Sequence, residues 1–352
     1  MANERIEWID FSRGLVIILM VWGHVMPLGL TGIILSIFHM PFFFVMAGYV
    51  LNAAKWSDNL RDFARKTAKR LLLPYFLTEL IWYPVWFVFS HRLGFMTRLW
   101  SLSEADPFKA FITIFLGAVN NNYDTALEAP LLIGPMWFFP CLFFAEIVFL
   151  ILYKTFGSDF VKFSASLLIT SALGFALGKY YPLPMGFDIS LTVQIFIFAG
   201  VSMRKHKLAK REKLFIPACV ISLLLVLISL KFNQPVDMSF RMYYNPVLFY
   251  TGGIAGTILI MKFSMICTKY SQARIISLIK YCGLQSVIVV AVHIPVVMII
   301  YDFIAAFTPY KTQALLQSNF LIAFFTAGIA IAIPLLAAKY LGRKPIIKYF
   351  CQ

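Results

Sequence analysis

The sequence predicts an all-α, polytopic membrane protein of about ten transmembrane helices with both termini on the cytoplasmic side. Three observations predict it. Only 13% of the 352 residues are charged and 61% are hydrophobic, at a mean hydropathy of +0.81, whereas a soluble domain carries about 25% charged residues. Apolar runs near the ~20 residues that span the hydrocarbon recur along the chain. Basic residues collect between alternate runs, as the positive-inside rule requires. The net charge of +15 therefore belongs to short blocks beside apolar runs. It implies membrane lipids as partners and no nucleic acid. The five cysteines form no CxxC pair and no metal-ligand spacing, so neither a disulfide framework nor a metal site is expected.

Ten runs qualify as spans: 9–30, 32–53, 71–90, 136–156, 163–181, 187–203, 214–232, 246–267, 281–303 and 318–340. The first is retained as a helix, because Glu4, Glu7 and Asp10 precede it and no small-residue cleavage site follows. The piece from Phe108 to Val119 is too short to span and reads as interfacial or re-entrant. With the N-terminus inside, alternation leaves all but seven of the 31 basic residues on the cytoplasmic side. An eleventh span at 108–119 would invert every later loop and destroy that bias. No internal repeat or linker divides the chain, so 1–352 is a single domain. The long outward segment 91–135, turn-rich around Asn120 to Asp124, is either a lid over a substrate or a plain connecting loop.

Ionisable residues inside spans are costly and mark functional candidates. The first two spans hold Asp10, Arg13, His24 and His39. Arg13 and His24 are eleven residues apart. At ~100° per residue this places them ~20° apart on one helix face and ~16 Å apart along the axis. A hairpin turning near Gly29 to Gly32 would bring His24 and His39 to similar depth. Either imidazole could serve as a general base, or simply bond a neighbouring helix. Asp10 pairs with Arg13 at i,i+3 or steers its guanidinium toward an anionic ligand. Pro41 breaks the second span, which suits a backbone lining a cavity, and Ala47-Gly48 permits close helix approach. In the run Arg61 to Arg70, Arg65, Lys69 and Arg70 share one side near the inner face, where they meet lipid headgroups or a phosphate-bearing cofactor. Glu146 is mid-span, placed to orient an imidazole or a sugar hydroxyl or to bond a helix. His293 lies in the ninth span. Arg241 and Asn245 suit sugar hydroxyls, while Tyr243 and Tyr244 suit an aromatic belt.

These residues carry a resemblance. Ile9 to Leu15, the Arg13-to-His24 spacing, Phe38-His39-Met40-Pro41-Phe42-Phe43-Phe44 and Ala47-Gly48-Tyr49 resemble the N-terminal signatures of the type-three family of integral membrane O-acyltransferases. The Phe-His-Met-Pro wording is closest to its fucose 4-O-acetylase-like branch. Arg70 to Tyr75 resembles the start of the family's third helix, Met136 to Pro140 its Leu-Trp-Phe segment, and His293 its late histidine. Ala47 departs from the serine usual in the family. The resemblance implies a cell-membrane enzyme, as in a bacterial inner membrane. It would move an acetyl group from cytoplasmic acetyl-CoA to a hydroxyl of a cell-surface or lipid-linked sugar. It marks His24 as catalytic, and Arg13 with the arginines of the 61–70 run as donor contacts. The resulting expectation has His24, His39 and Glu146 at the chemistry, and Arg13, Arg65, Lys69 and Arg70 on acetyl-CoA. Asp10, Trp137, Arg241, Asn245 and His293 then belong to the acceptor side. The alternatives are a transporter or glycan exporter without group transfer, and an acyltransferase acting on peptidoglycan, a lipid or a small molecule.

Overall fold

The computed structural model describes residues 6–26, 30–92, 106–117, 134–233, 236–270, 272–307, 319–342 and 349–350. They are helical throughout, with one isolated bridge between Asp237 and Met242 and no other extended pairing. The helices are α1 (Glu7–Val25), α2 (Leu30–Val50), α3 (Ala53–Ser57), α4 (Leu60–Trp86), α5 (Pro107–Leu116), α6 (Phe138–Phe156) and α7 (Phe160–Tyr180). There follow α8 (Phe187–Thr192), α9 (Gln194–Lys205), α10 (Glu212–Phe232), α11 (Pro246–Cys267), α12 (Arg274–Leu284), α13 (Ser286–Phe307) and α14 (Phe320–Leu341). Among the described residues nine helices are long and apolar enough to cross a membrane. The bent pair Pro184–Thr192 and Gln194–Lys205, 54° apart, makes a tenth if it is one span.

Several expected boundaries move. The helix expected to span 71–90 starts at Leu60, because the run Arg61 to Arg70 is helical, as its spacing suggests. That run is the first part of α4, so its basic side chains sit on the same rigid rod as the apolar part. The span expected at 187–203 is broken at Val193. The one expected at 281–303 is interrupted at Gln285, between α12 and α13. The short piece at 108–119 is the ten-residue α5, capped by Asp106 and ended by left-handed Gly117. It docks on α4 through Tyr75 Oη, which donates to the Ile114 carbonyl at 2.6 Å, and Tyr83 Oη, which donates to that of Pro107 at 3.0 Å. The polar stretch Asn120 to Asp124, expected as a lid or loop, lies outside the described residues, as does Gly29 of the expected hairpin turn.

Small residues set the helix spacing around the site. A Cβ on Gly48 of α2 would lie 2.0 Å from the Ile197 carbonyl oxygen of α9, and one on Gly200 would lie 1.9 Å from that of Val45. Gly14 and Gly283 interlock α1 and α12 in the same way, since a Cβ on either would lie 1.9 Å from an opposing carbonyl oxygen, that of Ile279 and Asp10 respectively. Backbones can approach this closely only where no side chain intervenes. The close approach expected at Ala47-Gly48 is thus what holds α2 against α9. Opposite faces carry exposed Leu, Ile and Phe, such as Leu223, Leu224 and Leu227 of α10 and Phe320, Phe324 and Phe325 of α14. An apolar face of this extent suits lipid rather than water.

Candidate active site

Helical periodicity builds one wall of the site. Arg13, Ile17, Met20 and His24 follow one another at three- or four-residue steps along α1, and all four line a cavity of about 780 Å³. Ser36, His39, Met40, Phe43, Ala47 and Val50 form the matching stripe of α2. Arg70 and Leu71 of α4, Leu142 and Glu146 of α6, and Ser286, Val287 and Val290 of α13 complete much of the wall. The shared face predicted for Arg13 and His24 is what the structure shows. His24 keeps an exposed surface, and the open space it meets is this cavity.

The equal depth expected of His24 and His39 does not follow from the helix ends. His24 is one residue before the end of α1 at Val25, whereas His39 lies nine residues into α2. Both face the cavity, but the imidazole packed on His24 is His293 of α13, with ring centroids 5.4 Å apart at 38°. His293 is fully buried and does not line the cavity. It stands behind His24, off the cavity wall. Its Nδ1–H donates to the Val289 carbonyl at 2.8 Å, and the Nδ1–H of His39 donates to that of Leu35 at 2.7 Å. Carbonyl oxygens only accept, so each Nδ1 carries a proton, and in the neutral ring Nε2 is then the lone-pair nitrogen. The Nε2 atom of His293 has no hydrogen-bond partner among the described residues.

Glu146 is buried, and both its oxygens accept from Nη2 of Arg70, at 2.9 and 3.2 Å. The Arg13 charge also acts on Glu146. Two guanidinium groups and one carboxylate thereby share one part of the cavity. Glu146 bonds a neighbouring helix and faces the cavity at the same time. Arg65 and Lys69 are exposed on α4 and do not line the cavity. Asp10, one turn before Arg13, does not line it either, and its carbonyl lies against Gly283. Trp137 does line it, from the short turn Gly134–Trp137 that leads into α6.

The loop between α10 and α11 covers another part of the cavity with Val236, Asp237, Met238, Ser239, Phe240 and Met242. Arg241 and Asn245, expected beside a sugar, point elsewhere. Arg241 donates to Asp188 of α8 from Nε at 2.9 Å and Nη2 at 3.1 Å, and from Nη1 to the Ser239 carbonyl at 2.8 Å. Burial works against the Arg241 charge, but the hydrogen bonds and charge of Asp188 outweigh it and hold the guanidinium above its ordinary pKa. Asn245 caps α11 by accepting from the N–H groups of Val247 and Leu248 at 2.9 and 3.1 Å. Tyr243 is buried rather than placed in a belt, while Tyr244 is exposed. Asp237 and Ser239, which the motifs did not single out as acidic and hydroxyl groups of the site, are the polar residues this loop presents to the cavity. Their signal in the sequence is slight: an acid and a serine two residues apart in a short turn.

A family model described as an acyltransferase domain matches residues 6–339. Comparison with curated proteins and with solved structures gave no match. The match takes in all fourteen helices except the last two residues of α14, and with them every residue that lines the cavity. The chain therefore belongs to the acyltransferase 3 family and is a multi-pass membrane acyltransferase.

Proposed function

We propose that the protein is an O-acetyltransferase of the cell membrane that takes acetyl from cytoplasmic acetyl-CoA and esterifies a hydroxyl of a cell-surface or lipid-linked sugar. The observation that carries this reading is the single cavity of about 780 Å³ that joins Arg13, Arg70 and Glu146 to His24 and His39. A volume in the range of about 300–1,000 Å³ suits small-molecule and cofactor sites. Arg13 and Arg70 offer cations toward a phosphate-bearing donor, and the exposed Arg65 and Lys69 extend that charge along α4. Ile17, Met20, Phe43 and Leu142 offer an apolar shaft for a neutral pantetheine arm. The basic bias of the loops supports a cytoplasmic donor end with both termini on that side. The Phe38 to Phe44 wording, closest to the fucose 4-O-acetylase-like branch, supports a sugar acceptor.

In this reading the His24 imidazole takes the proton of the acceptor hydroxyl as its oxygen attacks the thioester carbonyl. The new C–O bond forms, the C–S bond breaks, and the departing thiolate receives the proton. Enclosure by apolar walls strengthens whatever donors meet the oxyanion. Labelled acetyl-CoA supplied to membranes containing the protein tests the proposal. Label should pass to a glycan with the wild type and fall by about 100-fold or more with His24→Asn. Wild-type incorporation by a folded His24→Asn protein would refute the role of His24.

A further inference from the structure

Besides the Arg70-bound carboxylate of Glu146, two acceptor groups of different walls face the cavity. One is Nε2 of His39, whose Nδ1–H is committed to Leu35. The other is the carboxylate of Asp237, on the loop between α10 and α11. Asp237 is held firmly. Its backbone N–H donates to the Met242 carbonyl at 3.1 Å, and the Met242 N–H donates back at 2.9 Å. Its Oδ1 accepts from the Ser239 hydroxyl and from the Phe240 N–H at 3.1 Å. Four residues on, Arg241 takes a left-handed backbone (φ 55°) and ties the loop to the buried Asp188. Oδ2 is left without a hydrogen-bond partner among the described residues, and the Asp237 charge reaches the His39 ring.

A carboxylate and the lone-pair nitrogen of a neutral imidazole cannot donate to each other, so the hydrogens that satisfy them come from water or from a ligand that displaces it. A molecule with two neighbouring hydroxyls supplies them. We infer that Asp237 and Ser239, facing His39, form the acceptor subsite, and that it takes an uncharged polyhydroxyl unit. A sugar with no carboxylate or phosphate beside the reacting hydroxyl meets that description. Hydroxyl-to-carboxylate bonds are the short, strong kind. Among the described residues that line the cavity, the cations are Arg13 and Arg70. Arg13 is ~16 Å below His24 along α1, and Arg70 is bonded to Glu146. An acidic group on the acceptor would face Asp237 where no described cavity-lining cation is paired with it, and like charges juxtaposed at an interface are strongly disfavoured. The inference rests on the acyl-transfer reading, because it supplies that reaction's second substrate.

The test compares wild type, Asp237→Asn and Ser239→Ala in membranes given labelled acetyl-CoA. Calorimetric acetyl-CoA binding is measured on each purified protein in nanodiscs. Asp237→Asn should lower glycan acetylation by at least tenfold and Ser239→Ala by about threefold, with donor affinity within twofold for both. Enzymatic digestion and mass spectrometry should find the acetyl group on a neutral sugar. The inference is overturned by wild-type acetylation in Asp237→Asn, by an equal loss of donor binding, or by acetyl on a sugar carrying a carboxylate. If Asp237→Asn does not fold, unchanged acetylation by Ser239→Ala overturns it. Wild-type protein that binds acetyl-CoA yet acetylates no glycan would instead refute the proposed sugar acceptor, and this subsite with it.

Discussion

Arg70 of α4 donates to both carboxylate oxygens of Glu146 on α6, and the two side chains share one cavity wall while differing sharply in solvent contact. The Glu146 side chain is 3% exposed and that of Arg70 is 45% exposed. Arg70→Met strands a buried carboxylate. Loss of one partner of a fully buried pair costs about 3–5 kcal/mol; solvent around Arg70 reduces this to about 1–2 kcal/mol. The double variant Arg70→Met/Glu146→Gln should recover most of the lost Tm, because no unpaired charge remains. It should not recover donor affinity if Arg70 also meets the donor. Thermal unfolding in detergent and acetyl-CoA calorimetry separate the two effects.

His293 is expected to matter for turnover and not for folding. Its buried Nε2, without a hydrogen-bond partner among the described residues, costs the folded state about 1–3 kcal/mol. His293→Phe keeps an aromatic ring behind His24 and removes that atom. Its Tm should equal or exceed the wild-type value. Its kcat should fall by about 10- to 100-fold, since a shift of roughly 1 Å in a catalytic group has effects of that order. The KM for the donor should stay unchanged. Steady-state kinetics showing the loss in KM alone would contradict this placement of His293.

The Asp188–Arg241 pair predicts a larger stability effect than any surface pair. The two side chains are 0% and 9% exposed, so Asp188→Asn leaves a buried guanidinium short of its counter-charge, at a cost of about 3–5 kcal/mol. Arg241→Lys should be nearly as damaging, because an ammonium cannot reproduce the two-pronged contact. In both variants acetylation should fall while acetyl-CoA affinity persists at temperatures below the lowered Tm. Calorimetry of donor binding beside a transfer assay checks this.

Glycine substitutions test the helix spacing. Gly48→Ala places a methyl group 2.0 Å from the Ile197 carbonyl oxygen, and only separation of α2 from α9 relieves the clash. Overpacking of this kind costs about 3 kcal/mol or more, and the yield of folded protein should drop accordingly. Gly328→Ala in α14 meets nothing within 4 Å and should be neutral or slightly stabilising. Size-exclusion profiles of heated samples distinguish the two.

Much of the architecture was legible because its causes are local. Apolar run length and charge placement anticipate the all-α bundle. Eleven residues at helical pitch put Arg13 and His24 on one stripe of α1. The broken span at Val193 and the interruption at Gln285 carry only weak signals, Thr192 and Gln194 at the first and Gly283, Gln285 and Ser286 at the second, because isolated polar residues also occur inside unbroken spans. The hairpin turn expected near Gly29 to Gly32 also falls earlier, since α1 ends at Val25 and α2 starts at Leu30. Pro27 and Gly29 between them are residue types that favour a turn at that place.

The sequence by itself determined the fold class, the stripe of α1, the close-packing glycine of α2 and the polar residues worth considering. Periodicity and composition act within one segment, so they can be read along a line. Only the tertiary structure decided which of those residues meet. It set His293 behind His24, joined Glu146 to Arg70, and tied Arg241 to Asp188 across 53 residues of chain. The pairing with Asp188 took Arg241 away from the cavity, while Asp237 of the same loop lines it. Contacts between segments distant in the chain depend on how whole helices pack, and that packing is settled by shape and burial summed over the bundle rather than by any one motif.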